Sequence, residues 1–208
     1  ISCETHALGA VAALGGGLLY LLRGVWTDAA IPAVAAALCF CLSMAALYAA
    51  SAIYHYYPGT AASGGVKRVL RKMDHSMIYV LIAGSYTPFC VVLLPQPRGT
   101  QFCLILWGVA LAGVLAKMLW INAPRMLSTA VYLIMGWSVV FVAKDFTALG
   151  QPCLTLVALG GICYSVGAVF YAVKKPNISA EWTFHELFHL LILAGSFFHY
   201  LAVYLYVL

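Results

Sequence analysis

Ala30-IPAVAAALCFCLSMAALYAASAI-Tyr54 runs for 25 residues without one charged side chain. As a helix rising 1.5 Å per residue it reaches about 37 Å, more than the roughly 30 Å hydrocarbon core of a bilayer. Its apolar residues go all the way round rather than along one stripe, so lipid is its natural solvent. Working outward, six further apolar runs are punctuated by charges, Pro and Gly, at roughly His6 to Leu22, Met73 to Leu94, Gln101 to Trp120, Met126 to Ala143, Cys153 to Val173 and Phe184 to Val207. Breakers such as Pro58-Gly59, Pro95-Gln96-Pro97, Asn122-Ala123-Pro124 and Lys175-Pro176-Asn177 separate them. The expected fold is an all-α polytopic membrane protein, a single domain of seven transmembrane helices over residues 1–208. A β-barrel would need short alternating segments instead.

Composition agrees. Of 208 residues, 64% are hydrophobic and only 8% charged, with a mean hydropathy of +0.98. A soluble domain carries about a quarter charged residues. The net charge of +5 reads as membrane orientation rather than as a nucleic-acid surface, and nucleic acid is excluded as a partner. Lys67, Arg68, Arg71, Lys72, Lys117, Arg125, Lys174 and Lys175 fall on one side, against Arg23, Arg98 and Lys144 on the other. That imbalance places the first set and the N-terminus in the cytoplasm and the C-terminus outside. The seven cysteines have no pairing pattern and read as small buried apolar residues.

Ionisable residues at membrane depth are costly, which makes them functional candidates. They gather at helix ends on the cytoplasmic side: His6 at the first helix, Ser51 and His55 at the second, Asp74 and His75 at the third, His185, Glu186 and His189 at the seventh. His185 and His189 are four apart and share a helical face. Two imidazoles on one turn, joined by a third from a facing helix, suit Zn²⁺ with its fourth position left to water. Asp74 at the same depth is a candidate base, and Ser51 a candidate to orient a ligand or the substrate carbonyl. Each has a plainer reading: a histidine near the headgroups, or Asp74 capping the third helix or pairing with Lys72 or Arg71. His6 is either an outer support or an interfacial residue. His75 points about 100° away from Asp74, and His199 lies about 15 Å beyond His189, too far for the same metal. His185-Glu186-Leu187-Phe188-His189 also spells the zincin pattern, with Glu186 as water activator. No later helix offers the further ligand an intramembrane protease needs.

The ordered motifs Ser51-Ala-Ile-Tyr-His55, Leu70-Arg-Lys-Met-Asp74-His-Ser-Met-Ile-Tyr-Val-Leu-Ile-Ala-Gly-Ser-Tyr-Thr-Pro-Phe89, His185-Glu-Leu-Phe-His189 and Ala194-Gly-Ser-Phe-Phe-His199 resemble the hemolysin III branch of the progestin and adipoQ receptor family. Thr5-His6-Ala-Leu-Gly9 matches its opening motif, and the resemblance covers essentially the whole chain. It implies a cytoplasm-side zinc on His55, His185 and His189, a water near Asp74, and kinship with the alkaline ceramidases, zinc enzymes that cleave lipid amides. The expectation is a zinc-dependent hydrolase of lipid amide or ester bonds in a bacterial inner membrane, with Asp74 and Ser51 as catalytic residues and a membrane lipid as substrate or ligand. Two alternatives stand beside it: a membrane-homeostasis sensor with structural zinc, and a pore-forming hemolysin.

Overall fold

The computed structural model describes residues 1–59, 65–146 and 150–208. Seven helices are long and apolar enough to cross a membrane. They are α1 (Ser2–Trp26), α2 (Ile31–Tyr56), α3 (Gly65–Pro88, running on as a π-helical stretch Phe89–Leu93) and α4 (Arg98–Leu119). Then come α5 (Arg125–Gly136, followed by a 3-10 stretch Trp137–Val142 and a helical turn Ala143–Phe146), α6 (Gln151–Val173) and α7 (Phe184–Tyr206). No strand occurs among the described residues, and the chain is an all-helical membrane protein.

Helix α1 packs between α2 and α7; α2 packs on α3, α3 on α5, α5 on α6, and α6 on α7. The six close a ring, and α4 sits outside it against α3. Helices α2 and α3 are the most deeply buried, at 56% and 61% of their apolar spans, and form much of the interior wall, while α4 turns Leu104, Ile105, Leu111 and Leu115 outward. Two approaches need glycine. A Cβ on Gly84 of α3 would lie 2.2 Å from Ser43 Oγ of α2. On Gly160 or Gly195 it would come within 3.0 Å of the other's carbonyl oxygen, so α6 and α7 meet backbone to backbone, as small residues allow in lipid.

Helix α3 departs from the sequence expectation. It starts at Gly65, not near Met73, because its first turns form an amphipathic helix whose Lys67, Arg68, Arg71 and Lys72 read in the sequence as a connector. Asp74 therefore lies well inside α3 and does not cap it. The lysines instead serve other helices: Lys67 Nζ donates to the carbonyls of Tyr54 and Tyr57 at the end of α2, and Lys72 Nζ to Met118 O at the end of α4. Cations there complement both the unpaired carbonyls and the helix dipole.

At the other end of α3, Pro88 leaves the carbonyl four residues back without its usual N–H, and the helix relaxes into the π turn. Thr87 Oγ1 donates to Ala83 O at 2.9 Å and accepts from Trp107 Nε1 at 3.0 Å. The break in α5 is bridged by Tyr86, whose hydroxyl donates to Gly136 O and accepts from Val139 N at 3.0 Å. All seven cysteines are free thiols.

Candidate metal centre

Four helices bring their polar residues to one end of the ring. Helix α7 starts on a full capping box: Thr183 N donates to Glu186 Oε2 at 3.0 Å while the Thr183 hydroxyl accepts from His185 N at 3.3 Å. Glu186 Oε1 also accepts from Ser2 Oγ at 2.9 Å, tying α7 to the first turn of α1. The carboxylate in the middle of the His-Glu-x-x-His pattern thus serves as a helix cap and a tie to α1. The sequence Thr183-x-x-Glu186 is itself the capping-box pattern, a signal that the zincin match masked.

With that turn fixed, His185 and His189 project from α7 toward His55 at the end of α2. His185 Nε2 lies 3.1 Å from His55 Nε2, and one ligand atom from each of His55, His185 and His189 falls within 4.8 Å of the others. Their ring centroids are 4.5 to 5.1 Å apart. A metal held at 2.0–2.1 Å by nitrogens in tetrahedral geometry separates them by about 3.3 Å. The pair at 3.1 Å is therefore spaced almost as ligands of one ion, and a set of imidazoles without thiolates suits a first-row divalent metal.

Other atoms point the same way. His189 is 2% exposed and its Nδ1 has no hydrogen-bond partner; both ring nitrogens of His6, equally buried, lack one too. The His6 ring stacks on His189 with centroids 3.8 Å apart and planes 9° from parallel. Of the two roles open to His6, the geometry places it against a candidate ligand, not at the headgroups. The sequence offers His6 as an outer support without naming its partner, since the contact arises only when α1 closes the ring against α7.

Asp74 comes to the same site from the third turn of α3 with its side chain 15% exposed. Ser51, one turn deeper than His55, is 1% exposed and lies beside Asp74. Asp74 Oδ2 lies 3.6 Å from His75 Nδ1, which sits 2.9 Å from Arg71 O, and His75 Nε2 is 3.3 Å from the Tyr171 hydroxyl. Two residues not singled out from the sequence, Tyr171 and Tyr132, so enter the surroundings, Tyr132 by donating to His75 O at 3.1 Å. His199 stands apart from the cluster, with Nε2 3.1 Å from Val157 O.

The cluster lies in the wall of a cavity of about 670 Å³ inside the ring. His6, His55, Asp74, His185 and His189 line its polar end; Leu81, Phe89, Val140, Leu154 and Ile192 line the rest, where His199 is also found.

The sequence profile of the family described as Haemolysin-III related matches residues 1–200. The chain belongs to that family. It is 33% identical over 207 residues to hemolysin-3 of Bacillus cereus, covering 98% of this chain and 89% of the relative. To the hemolysin-3 homolog of Bacillus subtilis it is 38% identical over 158 residues, 76% of this chain and 70% of the relative. The adiponectin receptor protein of Drosophila melanogaster is 25% identical, with 94% of this chain and 48% of that protein aligned. The haemolysin-III chain is accordingly an integral membrane protein of the progestin and adipoQ receptor kind.

Proposed function

We propose that this haemolysin-III protein is a zinc-dependent hydrolase of lipid amide or ester bonds, acting at the cytoplasmic face of a bacterial plasma membrane. The observation that carries this is the convergence of three imidazoles on the wall of an apolar cavity that a half-buried carboxylate also lines. Asp74 stands outside the three-nitrogen cluster, which favours an open position over a closed structural shell.

His55, His185 and His189 would hold the ion. Zn²⁺ there supplies Lewis acidity and makes water a nucleophile near neutral pH. The chain's own residues do the rest. The apolar walls take the acyl chain and bring the carbonyl to the polar end. As water adds to the carbonyl carbon, Asp74 takes its proton; when the carbon–nitrogen bond breaks, the same proton goes to the departing amine, leaving an acid and an amine. Ser51 Oγ, buried beside Asp74, would orient that carboxylate or donate to the carbonyl oxygen.

Metal content of detergent-purified protein, measured beside hydrolysis of a fatty amide, tests the reading. About one zinc per chain is expected in the wild type and in Asp74→Ala, none in His189→Ala, and turnover only in the wild type. Absence of zinc from the wild type, or full turnover by Asp74→Ala, overturns it.

A further inference from the structure

The polar end of the cavity holds two guanidinium groups that the proposed chemistry does not use. Arg71 lies one helical turn before Asp74 on α3, and Arg125 opens α5; both are half-buried and both line the cavity. Arg125 is held rigidly: its Nη1 donates to Tyr171 O at 3.1 Å, and its Cζ sits 4.6 Å from the Tyr171 ring centroid and 5.7 Å from that of Phe184. Tyr171 in turn lies 6.4 Å, ring to ring, from His185, so this cation belongs to the immediate surroundings of the histidines.

Neither arginine has a carboxylate within ion-pair distance among the described residues. Asp74 is the one acidic side chain among the described residues of the cavity wall, and Glu186, close by in sequence, is occupied by Thr183 and Ser2. Two cations line this end of the cavity against one carboxylate of its wall, Asp74, and arginine is the side chain whose planar donors match an oxyanion. A half-buried guanidinium without a carboxylate partner gains from a ligand that supplies one.

The geometry also orients the ligand. With its acyl chain in the apolar part and its carbonyl at the histidines, a substrate directs its amine part toward Arg71 and Arg125. We infer that the amine released carries a carboxylate close to its nitrogen, so that the preferred substrates are N-acyl amino acids. This rests on the hydrolase reading for the reaction but not for the recognition. A carboxylate close to the amide nitrogen keeps the anion and the reacting carbonyl within one polar end, where Tyr171 stands between Arg125 and His185. Hydrolysis then consumes one water and yields a fatty acid and a free amino acid.

Three matched probes decide it: N-oleoylglycine, N-oleoylethanolamine and O-phospho-N-oleoylethanolamine, alike in acyl chain and differing in the group beyond the nitrogen. Affinities come from thermal-shift titration of the purified full chain, and product release is followed in parallel. The wild type is expected to bind N-oleoylglycine about ten-fold or more tightly than the ethanolamide, the scale of a charge-assisted hydrogen bond. Arg71→Gln and Arg125→Gln should each shrink that ratio, while Arg125→Lys retains part of it; unchanged zinc content verifies that the variants fold. Equal affinities in the wild type, a ratio unmoved in both Gln variants, or preference for the phosphate over the carboxylate overturns the inference. Carboxylate preference without turnover supports it while removing the hydrolase reading. Turnover of the ethanolamide without carboxylate preference does the reverse.

Discussion

Replacing Glu186 separates a helix cap from a catalytic base. Its carboxylate accepts from Thr183 N at 3.0 Å, from the Thr183 hydroxyl at 2.5 Å and from Ser2 Oγ at 2.9 Å. Glu186→Ala removes all three contacts, and the loss of a capping box costs about 1–2 kcal/mol. For a chain of this size that corresponds to a fall in melting temperature of about 2–8 °C. Glu186→Gln retains a carbonyl oxygen for Thr183 N, and glutamine is an accepted capping-box residue, so its cost should stay below about 1 kcal/mol. If the carboxylate only caps α7, both variants keep their zinc and Glu186→Gln turns over a fatty amide at close to the wild-type rate. If it activated water, Gln would be as damaging as Ala, with a loss of about 10²- to 10⁴-fold. The assays are a fluorescence melt, zinc content and initial rate on the same preparations. A folded, zinc-loaded Glu186→Gln protein slowed by more than about 100-fold would refute the capping assignment.

Three further outcomes follow from the packing. Gly84→Ala forces a methyl to 2.2 Å from Ser43 Oγ and 2.6 Å from Ser43 Cβ, and the overpacked α2–α3 crossing should lose about 1–3 kcal/mol, read as a lower melting temperature; an unchanged melt would mean the two helices part freely. His6→Ala removes the ring stacked on His189 and should weaken zinc binding about ten-fold in competition with a chromophoric chelator, whereas His6→Phe restores the stack and most of the affinity. Equal loss in both would make His6 a ligand instead. Tyr86→Phe leaves Gly136 O and Val139 N without the hydroxyl that bridges them, which should cost about 1–3 kcal/mol in the same melt and leave zinc content untouched.

How much of this the sequence reveals depends on how local the cause is. Apolar length is local, and seven helices can be read from it directly. The start of α3 is hidden because its early lysines and arginines look like a connector until one sees that they cap the ends of α2 and α4 from helical positions. The 3-10 stretch after Gly136 is equally hidden, since Tyr86, fifty residues away, is what accommodates it. Within the candidate site, the four-residue step from His185 to His189 is legible as one helical face, but the companionship of His6, Tyr171 and Arg125 comes from which helices are neighbours in the ring. A single sequence does not state that order.

The ring also explains why the candidate site has to be built from helix ends. Helices α2 and α7 flank α1 and keep their backbones apart, touching through side chains such as the Tyr48 hydroxyl, which donates to Ser196 Oγ at 2.5 Å. At the polar end, His55 and His185 span that gap with nitrogens 3.1 Å apart. Two neutral imidazoles share at most one proton there, and a divalent ion held by them would join what the backbone leaves apart. Metal binding should therefore stabilise the bundle as well as equip it, by the usual linkage to the folded state. Chelation should lower the wild-type melting temperature while leaving that of His189→Ala unchanged. A melt insensitive to chelation in zinc-loaded wild type would show that α2 and α7 are held together by packing alone, and the metal would then have no structural share in the site.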